Sequence, residues 1–223
     1  MTIFRRAATG PSNGHGIPPP RPVLWPLREP QSAVTDISVL DDGRRRIVIH
    51  HAELRGVTPA MLAWWFAHVE GDMDYAGGRW PRYWVWHPLD HISYEVLRRP
   101  DGGALGAGAR LHLREAFQRD PANILDVTVE VERIDGEAAI IGHRVLGLNV
   151  LRLDNRFTAT QTGTRYVSEM TIGAEGTIGR LAFNRLVGMR VLPGAMADAW
   201  IRHHIEEIGN LENFLPALFA ADS

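Results

Sequence analysis

The chain has 223 residues, 45% of them hydrophobic, and a formal net charge of −2. That length supports one domain with a sizeable core, and the charge balance gives no electrostatic ground for binding nucleic acid or an anionic membrane. All 24 basic residues are arginine and there is no cysteine, which excludes Schiff-base and P-loop lysines, thiol nucleophiles, disulfides and cysteine-ligated zinc.

Any metal must therefore be held by histidine and carboxylate. No apolar run approaches the roughly 18 residues that span a bilayer, and the first ten residues hold two arginines without an apolar secretion segment. A cytoplasmic protein is expected, and a homodimer is compatible with this composition.

Residues 1–44 read as an arm, because Gly10-Pro11, Gly14 to Pro20 and Pro22 to Pro30 carry prolines and glycines too densely for regular structure. Leu24, Trp25 and Leu27 could pin this arm to the body. Removing about the first 20 residues is expected to leave a folded protein. Residues 45–223 then form a single domain.

Arg45 to Arg55 reads as a strand in which His50 and His51 point to opposite faces. Thr58 and Pro59 supply an N-cap and first position for a helix that stops at Gly71 and is apolar almost all round, so it is expected to be buried on more than one side.

The run Trp80 to Arg99, WPRYWVWHPLDHISYEVLRR, is the densest cluster of aromatic and titratable residues. It reads as a strand with Tyr83, Val85 and His87 on one face, broken at Pro88 and resuming at Ile92. After a glycine-rich turn, Gly108 to Phe117 alternates Leu111, Leu113, Glu115 and Phe117 against Arg110, His112 and Arg114. Glu115 thus falls on the apolar face of its strand, whereas Glu130 and Glu132 oppose a valine face and read as solvent-facing.

Further strands are expected at Ile124 to Ile134, Ala138 to Arg152 and Phe157 to Ile172, separated by Asp135-Gly136, Asp154-Asn155 and Thr162-Gly163. Thr177 to Arg190 reads as a helix.

The chain closes on AMADAWIRHHIEEIGNLENFLPALFA, Ala195 to Ala220, whose apolar residues recur at three- and four-residue steps. On this helix Met196, Trp200, His203, Glu207, Asn210 and Phe214 share one stripe, with Ala197, Ile201, Ile208, Leu211 and Leu215 beside it. His203 and Glu207 therefore rise from an apolar wall, an expensive position unless each is paired. A divalent ion would pair them, since imidazole and carboxylate at i and i+4 reach the same point. A plain hydrogen-bonded pair on the helix is the simpler alternative. Helices at the ends with antiparallel strands between indicate an α+β fold, a curved sheet gripping the long C-terminal helix with a cavity between them.

GVTPAMLAWWFAHVEG, RYWVWHPLDHISYE and the late HHIEE together resemble the diacetylphloroglucinol hydrolase family, which includes phloretin hydrolases. The resemblance is strong over residues 47–97, thinner to the end and absent from the arm. It implies a helix-grip (Bet v 1-like) fold and a zinc enzyme that cuts the carbon–carbon bond between an acyl group and a phenolic ring.

It further implies one Zn2+ per chain held by His91, Glu115, His203 and Glu207. Tyr83, eight residues before His91, corresponds to the residue that contacts the phenolic substrate, a small aromatic ketone. His87 is a candidate for proton transfer to the ring. Tyr166 and His143 are candidate counterparts of later pocket residues, and Trp200 a candidate pocket wall. Fold analogy alone leaves open a metal-free ligand-binding protein or a polyketide cyclase.

Overall fold

The computed structural model describes residues 14, 16–100, 103–176, 184 and 193–222. In chain order its elements are β1 (Val34–Val39), β2 (Arg45–His50), β3 (Leu54–Arg55), α1 (Pro59–His68), β4 (Asp72–Tyr75), β5 (Gly78–Pro81), α2 (Arg82–Trp86), β6 (His91–Arg98), β7 (Arg110–Ala116), β8 (Ile124–Ile134), β9 (Ala138–Val145), β10 (Leu148–Ala159), β11 (Gly163–Ile172) and α3 (Gly194–Asp222). One sheet runs β1-β2-β11-β10-β9-β8-β7-β6, with β3 also paired to β11; β4 and β5 form a separate hairpin. The pairs in the main sheet are antiparallel.

The sheet grips α3. Every residue of α3 from His203 to Leu211 is buried, which a helix achieves only when neighbours surround it. Ile47 and Ile49 of β2 and Met170 and Ile172 of β11 pack with Met196, Trp200, Ile201 and Ile205 near its start. Leu111 of β7, Val129 and Val131 of β8 and Leu62 and Trp65 of α1 pack with Ile208, Leu211, Phe214 and Leu215 further along. This is the α+β helix-grip arrangement read from the sequence. α1 begins as expected, with Thr58 Oγ1 accepting from the Met61 amide at 3.3 Å and Pro59 at the first position.

Three expectations are corrected. The first concerns Trp80 to Trp86, which is hairpin and then one helical turn, α2, instead of a strand. The end of that turn is satisfied from a distance: Asn210 Nδ2 donates to the carbonyls of Val85 and Trp86 at 3.0 Å, and Trp86 Nε1 donates to the Glu207 carbonyl at 2.9 Å. With its orphan carbonyls bonded by α3, a single turn can be buried.

The second concerns Asp154-Asn155, which lies inside β10 and is not a turn. The hairpin instead turns at Leu146 and Gly147, whose φ angles of 51° and 82° are both left-handed. That pair fits the twist of the flanking strands, and Leu146 is 99% exposed.

The third concerns the arm, which carries β1 as an edge strand on β2. Its earlier part is tied down too. Ile17 is 1% exposed, Arg119 donates to the Pro18 carbonyl at 2.8 Å, and Trp25 packs on Tyr75 and Phe214 with centroids 5.4 and 6.1 Å away. The Arg21 guanidinium, over the Trp84 ring at 4.1 Å, donates to the carbonyls of Pro88 and His91 at 3.2 and 2.6 Å. Arg28 reaches the carbonyls of Ala52 and Glu53 and pairs with Glu212 of α3. Proline density did not exclude burial, because extended proline-rich chain can still lay side chains on the core.

A cut at residue 20 therefore removes the buried Ile17, and Arg21→Ala takes the guanidinium donor from the His91 carbonyl, at about 1–3 kcal/mol, while the Pro88 carbonyl keeps the backbone amide of residue 21. The melting temperature of Arg21→Ala is expected to fall by several degrees. A melting curve that superimposes on wild type would show that the His91 carbonyl finds another donor.

The expected helix Thr177 to Arg190 lies outside the described residues except for Asn184. That side chain bridges the Asp42 and Ala174 carbonyls and accepts from the Ala174 amide.

Candidate metal centre

Three elements bring His91, Glu115, His203 and Glu207 together. His91 opens β6 and Glu115 stands directly across from it near the end of β7, while His203 and Glu207 project from successive turns of α3. His91 Nε2 lies 3.6 Å from a Glu115 oxygen and 3.4 Å from Glu207 Oε2; His203 Nε2 lies 3.8 and 3.9 Å from the other Glu115 oxygen and from Glu207 Oε2. A tetrahedral ion with bonds of about 2.0–2.2 Å spaces its ligands by roughly 3.3–3.6 Å; His91, His203 and Glu207 each offer an atom within 4.8 Å of the others, a set that fits a divalent cation with small movements, and Glu115 stands beside them with one oxygen toward each histidine. His91 is fully buried, and its Nε2 has no hydrogen-bond partner. A buried ring nitrogen left without a partner at the focus of two carboxylates has the chemistry to hold a divalent cation.

The groups behind these four fix their orientation. His91 Nδ1 lies 2.5 Å from the Tyr83 carbonyl, and the Tyr83 ring stacks on the His91 ring at 3.9 Å with a 4° interplanar angle. His203 Nδ1 bonds Asp90 Oδ2 at 3.0 Å, and the same oxygen accepts from the Gln118 amide at 3.0 Å. Gln118 and Arg119 take left-handed φ angles of 56° and 57° to present that amide; non-glycine residues hold such angles only where surroundings enforce them. Glu207 Oε1 bonds His204 Nδ1 at 2.5 Å, His204 Nε2 bonds Ser168 Oγ at 2.8 Å, and Ser168 Oγ bonds His51 Nε2 at 3.0 Å. Each ring nitrogen not facing the centre is thus anchored, which sets which nitrogen is free to ligate.

The electrostatics call for a cation. Burial opposes a charge on His203, but the Asp90 hydrogen bond and the Glu207 and Glu115 carboxylates overcome it and push its pKa up to about 9. Burial also opposes ionisation of Glu207, yet its hydrogen bond to His204 and the nearby His91 and His203 rings hold it well below the usual carboxylate range. Asp90, likewise buried but bonded by His203, is lowered to about 2. Asp90, Glu115 and Glu207 therefore face the His91 and His203 imidazoles in a buried space. Asp90→Asn keeps the shape of the His203 support and removes its charge. Its metal affinity is expected to fall about 10- to 100-fold, as read by competition with a chelator; an unchanged affinity would remove Asp90 from the support of the site.

A cavity of about 130 Å³ adjoins the cluster, lined by Tyr83, Glu115, His203, His204, Glu207 and Trp200 on one side and by aliphatic side chains of β7 to β10 on the other. Tyr83 borders it with its hydroxyl hydrogen-bonded to Glu115; burial and the adjacent Glu115 push that hydroxyl's pKa well up, so it stays protonated. Trp200 borders it as expected, stacked on His204.

His87, Tyr166 and His143 do not line the cavity. His87 is corrected to a support. Its Nδ1 accepts from the Asp90 amide and its Nε2 bonds Glu206, each at 3.1 Å, so it holds the Asp90 turn and has no free nitrogen for a ring. Tyr166 is buried behind the cavity, against Phe157 and edge-on to His51, its hydroxyl without a partner. His143 bonds the Thr128 carbonyl in the sheet.

The sequence reading missed Asp90, His204, Ser168, His51, Tyr94 and Asn155. Asp90 and His204 each adjoin a ligand in sequence, and that adjacency was the available signal. The others are brought in by strand register, which no local pattern reveals.

Residues 27–110 match the family model described as the DAPG hydrolase PhiG domain, and the family resemblance is borne out over that stretch. It contains Tyr83 and His91 and ends before Glu115, His203 and Glu207. No curated protein matches the chain in sequence.

Among solved structures, the chain is similar to Ara h 8.0201 (13% identity, 78% of this chain and 99% of that one, TM-score 0.48) and to Ms6760 from Mycobacterium smegmatis (17%, 86% and 99%, TM-score 0.44). It is also similar to norcoclaurine synthase from Thalictrum flavum in complex with dopamine and hydroxybenzaldehyde (11%, 91% and 98%, TM-score 0.38). Likeness at this level carries nothing about activity. No helix among the described residues is long and apolar enough to cross a membrane.

Proposed function

We propose that this chain, whose residues 27–110 match a hydrolase domain, hydrolyses the carbon–carbon bond between an acyl group and a phenolic ring, with zinc held by His91, Glu115, His203 and Glu207. The observation that carries this reading is the convergence of those four side chains beside a largely apolar cavity. Two imidazoles and two carboxylates suit zinc ahead of manganese, iron or cobalt. When bound there, the ion supplies Lewis acidity that polarises a carbonyl and activates water.

The protein's own groups do the rest. Hydrolysis adds water across the bond, hydroxyl to the acyl carbon and a proton to the ring carbon, so the pocket must supply an acid and exclude bulk water. Tyr83 is the buried hydroxyl that borders both Glu115 and the cavity, placed to bond a phenolic oxygen and to hold a proton near the ring. Trp86 and Trp200 line a space that a flat ring can fill. Ring hydroxyls make departure of the ring carbon feasible by spreading its charge as an enolate-like anion.

A metal-free ligand-binding protein competes with this reading, favoured by the largely aliphatic cavity wall. A panel of acyl phloroglucinols and dihydrochalcones, assayed for release of the carboxylic acid, tests the reaction. Acid release from at least one member is expected; a metal-loaded protein that binds the panel and releases none rejects hydrolysis in favour of binding or cyclisation. We place the protein in the cytoplasm and take its partner to be a small aromatic ketone, with no role for nucleic acid or membrane.

A further inference from the structure

The two edges of the main sheet are finished differently. At one edge, β6 changes register between His91 and Ser93 and again between Val96 and Arg98. Trp84 Nε1 donates to the Ile92 carbonyl at 3.0 Å and Arg21 to that of His91, and Glu95 and Arg98 add charge. Bulges, covering side chains and charges are the means by which a sheet keeps another strand from adding to it. At the other edge, β1 pairs with β2 through Val34 to Val39 without a register shift, and its sequence VTDISV has one charged residue and no proline. Val34, Ile37 and Val39 are 71, 47 and 73% exposed, so β-branched apolar side chains stand open along an edge with none of those protections.

The direction of hydrogen bonding along β1 is fixed. The Leu40 amide donates to the Arg44 carbonyl where β1 turns into β2, and the His51 amide, just past β2, donates to Tyr166 of β11. Bonding direction alternates along a strand. The even-numbered residues of β1 therefore bond β2, and the amides and carbonyls of Thr35, Ile37 and Val39 point away from the sheet. Among the described residues none of these groups meets a partner.

This edge is complementary to itself. A two-fold axis through Ile37 sets Ile37 against Ile37, and Thr35 against Val39, of a second copy, and each pair exchanges both of its backbone bonds. Asp36 then faces Ser38, whose hydroxyl can donate to the carboxylate. Moving the axis to Asp36 opposes two carboxylates, which is destabilising; moving it to Ser38 carries the residue opposite Thr35 beyond the end of β1. Ile37 stands across from Ile47, which packs on the start of α3, so isoleucines paired at the axis would continue that cluster from one copy into the other.

We propose that β1 is a homodimer interface, in which two copies of this chain pair β1 with β1 antiparallel about Ile37 and join their sheets into one. A single strand pair is small beside the roughly 800 Å² per partner of a standard interface, so this dimer dissociates at micromolar concentration.

Sedimentation velocity of the full chain, from low to high micromolar concentration, is expected to show a concentration-dependent dimer. Ile37→Lys sets two ammonium groups at the axis and weakens the dimer at least about tenfold, whereas Leu97→Lys, on the β6 edge, leaves it as in wild type. Because the chain has no cysteine, an introduced thiol reports one position, and the Cα atoms of a bonded pair, about 5.5 Å apart, lie within disulfide reach. Under mild oxidation Ile37→Cys is expected to cross-link to itself, Thr35→Cys only when mixed with Val39→Cys, and Leu97→Cys not at all. Should Ile37→Lys fail to fold, the cysteine variants decide. A wild type that stays monomeric at every concentration, a dimer indifferent to Ile37→Lys, or cross-linking of Leu97→Cys as rapid as that of Ile37→Cys overturns the proposal.

Discussion

Protein purified without added metal is expected to carry about one equivalent of zinc per chain, and His203→Ala or Glu207→Ala to carry almost none. Each substitution removes one of four converging donors, and each also disturbs a support: His203 holds Asp90, and Glu207 holds His204. Losing a supporting group alone costs about 10- to 100-fold in metal affinity, so losing a ligand together with its support should cost more. Elemental analysis of the wild type and both variants is the measurement. The control is the melting temperature of each variant against chelator-treated wild type, which separates loss of metal from loss of fold. Active wild-type protein without any transition metal would sink the enzyme reading in this form.

The second large effect separates pocket from ligand. Tyr83→Phe is expected to keep its metal and lose turnover by about 10²–10⁴-fold, the range for removing a positioned proton-transfer group. It deletes one hydroxyl and preserves the ring that stacks on His91. Glu115→Gln replaces an anionic donor with a neutral amide, so metal content and activity should fall together. The geometry adds one complication. The Tyr83 hydroxyl bonds Glu115, so Tyr83→Phe frees a carboxylate oxygen and shifts metal affinity slightly. Parallel metal titrations and kcat measurements decide the matter, and a Tyr83→Phe enzyme of wild-type turnover would remove the hydroxyl from the chemistry.

Much of this arrangement was legible in the sequence. Strand alternation placed Glu115 on an inner face because polarity on β7 follows the pleat, and helical spacing put His203 and Glu207 on the buried stripe of α3. What stayed hidden depends on contacts distant in sequence. α2 is a helix because Asn210, more than a hundred residues away, bonds its terminal carbonyls. Asp154-Asn155 reads as a turn by residue type, but Arg152 and Arg156 bond Asp154 within the strand. The arm was misjudged because proline density reports on regular structure and says nothing about packing, and Arg21 shows the difference. His87 reads from the sequence equally as a proton-transfer group or a hydrogen-bonded core histidine, and its two occupied nitrogens show that it braces the Asp90 turn.

The row Glu207, His204, Ser168, His51 runs in one sense only. Glu207 is held ionised and can only accept, so His204 carries a proton on Nδ1, and a neutral His204 ring has its Nε2 bare. Ser168 then has to turn its hydroxyl hydrogen toward His204, and its oxygen is free to receive the Nε2 proton of His51. Burial and the neighbouring His204 keep His51 well below its ordinary pKa, so it has one proton to place and this is where it goes. With His204 neutral, a single negative charge thereby sets the tautomer of two imidazoles and the rotor of one hydroxyl, and His51, which never touches that charge, is the far end of a row oriented by Glu207.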